Sequence, residues 1–152
     1  MHWEPNRGPR RILLRSLVTL DLSRLQQYSA PLAETGAEVT WRPFLVGGVF
    51  NAVNPSVYQA RAEPMDPKIV HNYRWLHEWA QVAGLPLVFP TAHHPVKSVL
   101  AMRACCVLEQ DQPALQHFSK AAFDAYFARG ENIDEPDVIQ AIAMTVVLMV
   151  RH

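Results

Sequence analysis

Glu38-Val39-Thr40-Trp41-Arg42-Pro43-Phe44-Leu45-Val46-Gly47-Gly48-Val49-Phe50 is the stretch on which the reading of this chain turns. Polar and apolar residues alternate from Glu38 to Arg42 with β-branched and aromatic content, so the segment reads as a strand that stops at Pro43. Upstream, Leu22, Leu25, Tyr28 and Leu32 recur at helical spacing. Asp21 or Ser23 can cap that helix, Gly36 closes it, and Pro31 kinks it or ends it early. Further back, Ile12 to Leu20 is an apolar run that suits a buried strand or the edge of a helix, with strand preferred. Strand, helix, strand is a βαβ unit. Residues 1–11, with Pro5, Gly8, Pro9 and three arginines, read as a mobile leader.

Downstream of Gly47-Gly48 the pattern changes. A loop rich in Asn, Pro and small residues runs to about Met65, long enough to suggest ligand binding. Asp66 and Pro67 then open a helix over 67–83, with Ile69, Val70, Tyr73, Leu76, Trp79, Ala80 and Ala83 inward and Gly84 and Pro86 as stops. Pro95 opens the next, with Val96, Val99, Leu100, Ala104, Val107 and Leu108 on one side. A third starts at Pro113 and carries Leu115, Phe118, Ala122 and Ala125 to Gly130, and a fourth begins near Pro136. The expected fold is α/β: a partial βαβ unit over 12–46, then a helical domain over 47–150.

Composition narrows the function. Fourteen basic residues balance fourteen acidic ones, which leaves no field of one sign for nucleic acid or an anionic membrane and favours a small, nearly neutral ligand or a partner protein. The apolar stretch 138–150 falls short of the ~20 residues needed to span a bilayer. Cys105 and Cys106 are adjacent, poor geometry for a bridge between them, and read as buried helix thiols in a reducing cytoplasm. His93-His94 lacks a third ligand and reads as polar loop. His71 and His77, six apart, do not share a helix face, so no metal is expected.

Three stretches carry a resemblance at matching separations. They are Trp41 to Phe50; Trp79-Ala80-Gln81 through Gly84-Leu85-Pro86-Leu87-Val88-Phe89-Pro90; and His94-Pro95-Val96-Lys97-Ser98 through Leu100-Ala101-Met102-Arg103-Ala104. A tail follows at Phe118 to Ala125, Gly130 and Asp134-Glu135-Pro136. Over roughly 36–138 the chain resembles the 2-hydroxychromene-2-carboxylate isomerases, of the glutathione-using branch of the DsbA-like thioredoxin superfamily. The resemblance implies a thioredoxin-like βαβ half with a helical insertion, glutathione as cofactor, and a small aromatic substrate whose ring the thiolate opens and isomerises.

In site terms, the resemblance implies that Ser16 is the hydroxyl holding the glutathione sulfur, with Asn54 near the substrate; Lys68, opening a helix beside the loop that ends near Met65, is placed to meet a carboxylate of glutathione or substrate. Each has a plainer reading: a ligand-free strand or turn serine, a turn asparagine before Pro55, a solvated helix lysine. Trp41 is expected to pack in the βαβ core and Arg42 to bridge to the helical domain. Two departures stand out. Arg15-Ser16-Leu17-Val18-Thr19 replaces the family's Ser-Pro-aromatic-Ser turn, and no Gly-Val-Pro-Thr-like segment is present, so the closing ββα half with its cis-proline is expected to be missing. The resulting expectations are impaired isomerase activity and a homodimer or other self-association through the sheet edge and the 138–150 face. The alternatives are a DsbA-like disulfide oxidoreductase or kappa-class glutathione transferase relative, and a non-catalytic, partner-binding helical domain.

Overall fold

The computed structural model describes residues 10–15, 39–45 and 67–150. Strands β1 (Arg10–Arg15) and β2 (Val39–Phe44) pair in parallel, with Ile12 opposite Trp41 and Leu14 opposite Pro43. Parallel pairing is what a strand–helix–strand unit requires, because a tight turn can join only antiparallel strands. The connecting residues 16–38, to which the sequence assigns a helix, lie outside the described residues. β1 begins two residues before the leader was expected to end, since the register carries Arg10 and Arg11 against Val39 and Thr40. β2 runs one residue past Pro43, which a strand with a free edge tolerates. Among the described residues the sheet has two strands.

β2 is docked on the helical body at Trp41, which is 8% exposed. The Trp41 N–H donates to Oε1 of Gln112 at 2.6 Å, and Nε2 of Gln112 donates back to the Trp41 carbonyl at 3.1 Å and to the Glu109 carbonyl at 2.7 Å. Next to it, Nη1 of Arg42 donates to Oε1 of Glu109 at 2.7 Å. Arg42 as the bridge to the helices agrees with the sequence reading; Trp41 is buried as expected, but against the helical body. Trp41 shares one apolar cluster with the buried residues of the helices.

Helix α1 (Pro67–Val82) starts at Pro67 as expected. It ends at Gly84, whose φ of 66° allows the Leu85 N–H to reach the Ala80 carbonyl at 2.9 Å. Its inward side is Tyr73, Leu76, His77 and Ala80. Trp79 is not on that side: it is 57% exposed, and Val70 is exposed too. Each helical step turns the side chain by about 100°, so Ala80 faces the core and its neighbour Trp79 swings away.

Residues 85–91 are extended, with Leu85, Leu87, Phe89 and Thr91 turned inward and the alternate residues out. The peptides Phe89–Pro90 and His94–Pro95 are cis. Helix α2 (Val99–Val107) starts later than the expected opening at Pro95, after a turn in which the His94 N–H donates to the Thr91 carbonyl at 3.1 Å. Its buried face is Ala101 and Cys105, one turn apart, which sends Val107 outward at 83% exposure instead of into the core. The same geometry separates the cysteines: Cys105 is buried, while Cys106 is exposed, contrary to the expectation for both.

Helix α3 (Gln112–Phe123) is capped by Asp111, whose carboxylate accepts the Ala114 N–H at 3.1 Å. Leu115, Phe118 and Ala122 are buried along it. At Asp124–Ala128 the helix widens into a π turn, which adds a residue to the turn and lets Ala125, Tyr126 and Phe127 all face inward. Helix α4 (Pro136–Val150) packs on α3 through Ile139, Ile142 and Val146, beside the fully buried Ile133. Its other side, Met144, Val147 and Leu148, is exposed.

Candidate functional site

Ser16 and Asn54 lie outside the described residues. Lys68 is the second residue of α1, so its backbone is placed directly after the 47–65 loop, but its side chain too lies outside what is described. Among the described residues, the polar groups that converge are a different set, at the junction of α1, the 85–96 segment and the π turn.

That junction is built on rings. Phe89 meets Tyr73 edge-on at 5.1 Å between centroids and His94 edge-on at 4.6 Å, Tyr73 meets His94 edge-on at 5.9 Å, and Phe127 lies tilted against Phe89 at 5.9 Å. Edge-on pairs set the positive rim of one ring against the negative face of the next, which fixes orientation as well as burying area. The Val88 N–H donates to the Phe127 carbonyl at 2.6 Å and holds the segment to the π turn. Nε2 of His77 lies 2.5 Å from the Phe89 carbonyl. A carbonyl only accepts, so that nitrogen carries a proton.

Into this setting the π turn delivers Tyr126, whose hydroxyl lies 2.8 Å from Nδ1 of His94. Burial pushes the Tyr126 phenol above its ordinary 10.0, with hydrogen bonds involving the Thr91 side chain and the Val96 backbone pulling the other way. Burial also raises Tyr73. Both phenols are therefore neutral at physiological pH, able to donate and accept but not to act as bases. Nothing in the residue pattern signals this pairing, since His93-His94 reads as polar loop. That reading suits the exposed His93, whose N–H donates to Oγ1 of Thr91 at 3.1 Å, but not the half-buried His94. A π turn leaves no mark that periodicity detects.

A nucleophile is missing from this set. Burial raises the Cys105 thiol from its ordinary 9.0 to about 11, only partly offset by its contact with Ser119, so almost none is thiolate at neutral pH. Cys106 points to solvent with no partner cysteine in bonding position. Among the described residues, no three His, Cys, Asp or Glu side chains gather to hold a metal ion.

Two parallel strands with a long connection, followed by a helical body that packs against the second strand, fit a thioredoxin-like unit leading into helices. The chain belongs to the family of DsbA-like thioredoxin domains, whose model matches residues 17–149. No curated protein matches the chain. In the described residues no helix is long and apolar enough to cross a membrane.

Proposed function

We propose that this DsbA-like protein belongs to the glutathione-using branch of its family and that its reaction is the isomerisation of 2-hydroxychromene-2-carboxylate or a similar aromatic breakdown product. The observation that carries the proposal is the placement of its cysteines. The sequence has two, side by side on α2 in the helical body, one exposed and one buried with its thiol held protonated. Disulfide exchange needs a thiolate at the thioredoxin turn, and this chain has no cysteine near Ser16 to supply it. Glutathione, when bound, supplies the missing thiol. The chain's own task is then to hold it: Ser16 donates its hydroxyl to the sulfur, Lys68 meets a carboxylate, and Asn54 donates to and accepts from the substrate. A cytoplasmic setting, rich in reduced glutathione, belongs to the same proposal.

The resemblance of Trp41 to Phe50 and of the 79–104 stretches supports the isomerase over a kappa-class transferase. A spectrophotometric isomerisation assay, with and without added glutathione, tests it. Turnover that depends on glutathione and falls in Asn54→Ala supports the reading. A parent protein inert in that assay, yet able to reduce or oxidise a model disulfide, overturns it in favour of the oxidoreductase alternative. Inertness in both assays overturns it in favour of a binding module.

A further inference from the structure

Two histidines bond the segment that joins α1 to α2, and they do so with opposite polarity. Nε2 of His77, on α1, donates to the Phe89 carbonyl at 2.5 Å. An imidazole that donates through Nε2 keeps that bond in acid, because a second proton goes to Nδ1. His94 is placed differently. Its Nδ1 meets the Tyr126 hydroxyl at 2.8 Å, and the direction of that bond depends on what else the hydroxyl bonds.

The surroundings of Tyr126 set the direction. Buried Thr91 takes the His93 N–H on Oγ1 at 3.1 Å and has its own proton left to give. Burial raises the Tyr126 phenol, and bonds with the Thr91 side chain and the Val96 backbone act against that rise. A bond with this effect is one in which the phenol oxygen accepts. With Thr91 and Val96 on its two lone pairs, the oxygen points its proton at Nδ1 of His94. The bonds therefore run one way, from the His93 N–H through Thr91 and Tyr126 to a neutral His94 ring whose proton sits on Nε2. A proton on Nδ1 sets donor against donor.

We propose that His94 and Tyr126 form an acid-sensitive latch, closed while the His94 ring is neutral, whose protonation frees residues 91–96 from the π turn while His77 keeps hold of Phe89. The closed form binds one proton fewer than the open form, so opening takes a proton up and grows more favourable as pH falls through the histidine range, about 6.5 when unperturbed. Among the described residues, the titratable groups around the His94 ring are Tyr126 from the π turn, Tyr73 from α1 and, on its own segment, the exposed His93 and Lys97. The described charged side chains of the neighbouring elements pair among themselves: Arg74 with Glu78 on α1, and Asp124 with Lys120 and Arg129 with Glu131 about the π turn. The latch uses other residues than the isomerase reading and stands without it.

Two NMR measurements on the full chain test it. Nitrogen shifts of the His94 ring at pH 8 should show Nδ1 bare and Nε2 protonated, a result that needs no variant. Amide hydrogen exchange, corrected for its intrinsic pH dependence, should then speed up at His93 and Val96 by up to about tenfold per pH unit below the histidine range. The Leu85 amide, bonded to the Ala80 carbonyl, should show no such change. His94→Asn leaves an acceptor where Nδ1 stood but nothing to titrate, so protection at His93 and Val96 should become independent of pH. His77→Gln keeps a donor for the Phe89 carbonyl and should retain the parent's pH dependence. A protonated Nδ1 at pH 8 overturns the proposal, as does exchange in the parent that changes less than about twofold between pH 7.5 and 5. A pH dependence that persists in His94→Asn, or vanishes in His77→Gln, overturns it by assigning the response to another group.

Discussion

The side-chain amide of Gln112 lies against the backbone of Trp41 as a neighbouring strand would, accepting its N–H at 2.6 Å and donating to its carbonyl at 3.1 Å. A primary amide has the same donor–acceptor pair as a peptide, so one side chain satisfies both groups on the open edge of β2. Gln112→Ala should leave them without that partner and cost about 1–3 kcal/mol in urea unfolding. Gln112→Glu should cost a similar amount at neutral pH, because a carboxylate cannot donate to the Trp41 carbonyl. An unchanged midpoint in both would show that the pairing contributes nothing.

Packing should rank the helices' side chains. Leu115 and Phe118 are fully buried, so Leu115→Ala should lose ~2–5 kcal/mol and Phe118→Ala ~3–5 kcal/mol. Leu76 is only half-buried on α1, and Leu76→Ala should fall below both. Chemical denaturation at low protein concentration compares the three, and a loss at Leu76 equal to that at Leu115 would contradict the placement of α1.

Alkaline pH should destabilise the fold. The folded state holds the Cys105 thiol at about 11 against an ordinary 9.0, so it binds the proton more tightly than the unfolded chain does. That stabilisation is complete below pH 9 and is lost as pH rises toward 11, on the order of 3 kcal/mol in all. Tyr126, also raised by burial, acts in the same direction above 10. Stability measured from pH 8 to 11 should decline, and Cys105→Ala should flatten the decline between 9 and 11.

Thiol labelling should split the adjacent cysteines. Cys106 is exposed and should react with a disulfide reagent in the native protein, whereas Cys105 should react only after unfolding. Two equivalents of fast reaction at neutral pH would mean that α2 is rotated from the position given.

Arg42 and Glu109 meet at 2.7 Å, but both are partly open to water, so Arg42→Ala should cost less than about 1 kcal/mol. Salt titration of the parent's stability should show a correspondingly shallow dependence.

Most of the framework was legible because it is written in local chemistry. Pro67 and Gly84 bound α1, Pro113 and Gly130 bracket α3 with its π turn, and Pro136 opens α4, each for a reason that acts within a few residues. The alternation around Trp41 likewise marks β2. What escaped was rotation. Apolar residues on both sides of α1 and α2 leave no unique inward face: the pattern places Trp79 inward along with Ala80, and Val107 inward on α2, whereas Ala80 and Cys105 are buried and Trp79 and Val107 are exposed. The His94–Tyr126 contact spans 32 positions and depends on the π turn, neither of which periodicity can reveal. Ser16 and Asn54 rest on resemblance and Lys68 on its place beside the 47–65 loop, as the side chains of all three lie outside the described residues.

The π turn also makes the chain's length adjustable at one place. Deleting a single residue from 124–128 should restore ordinary helical winding without unfolding α3, since the surplus residue is what widens the turn. The helix would close, but three consecutive side chains could no longer all face inward. Either Tyr126 would leave His94 or Phe127 would leave Phe89. A one-residue deletion is therefore a gentler cut to the backbone than to the junction, and it separates the integrity of the helix from the arrangement of the rings it carries.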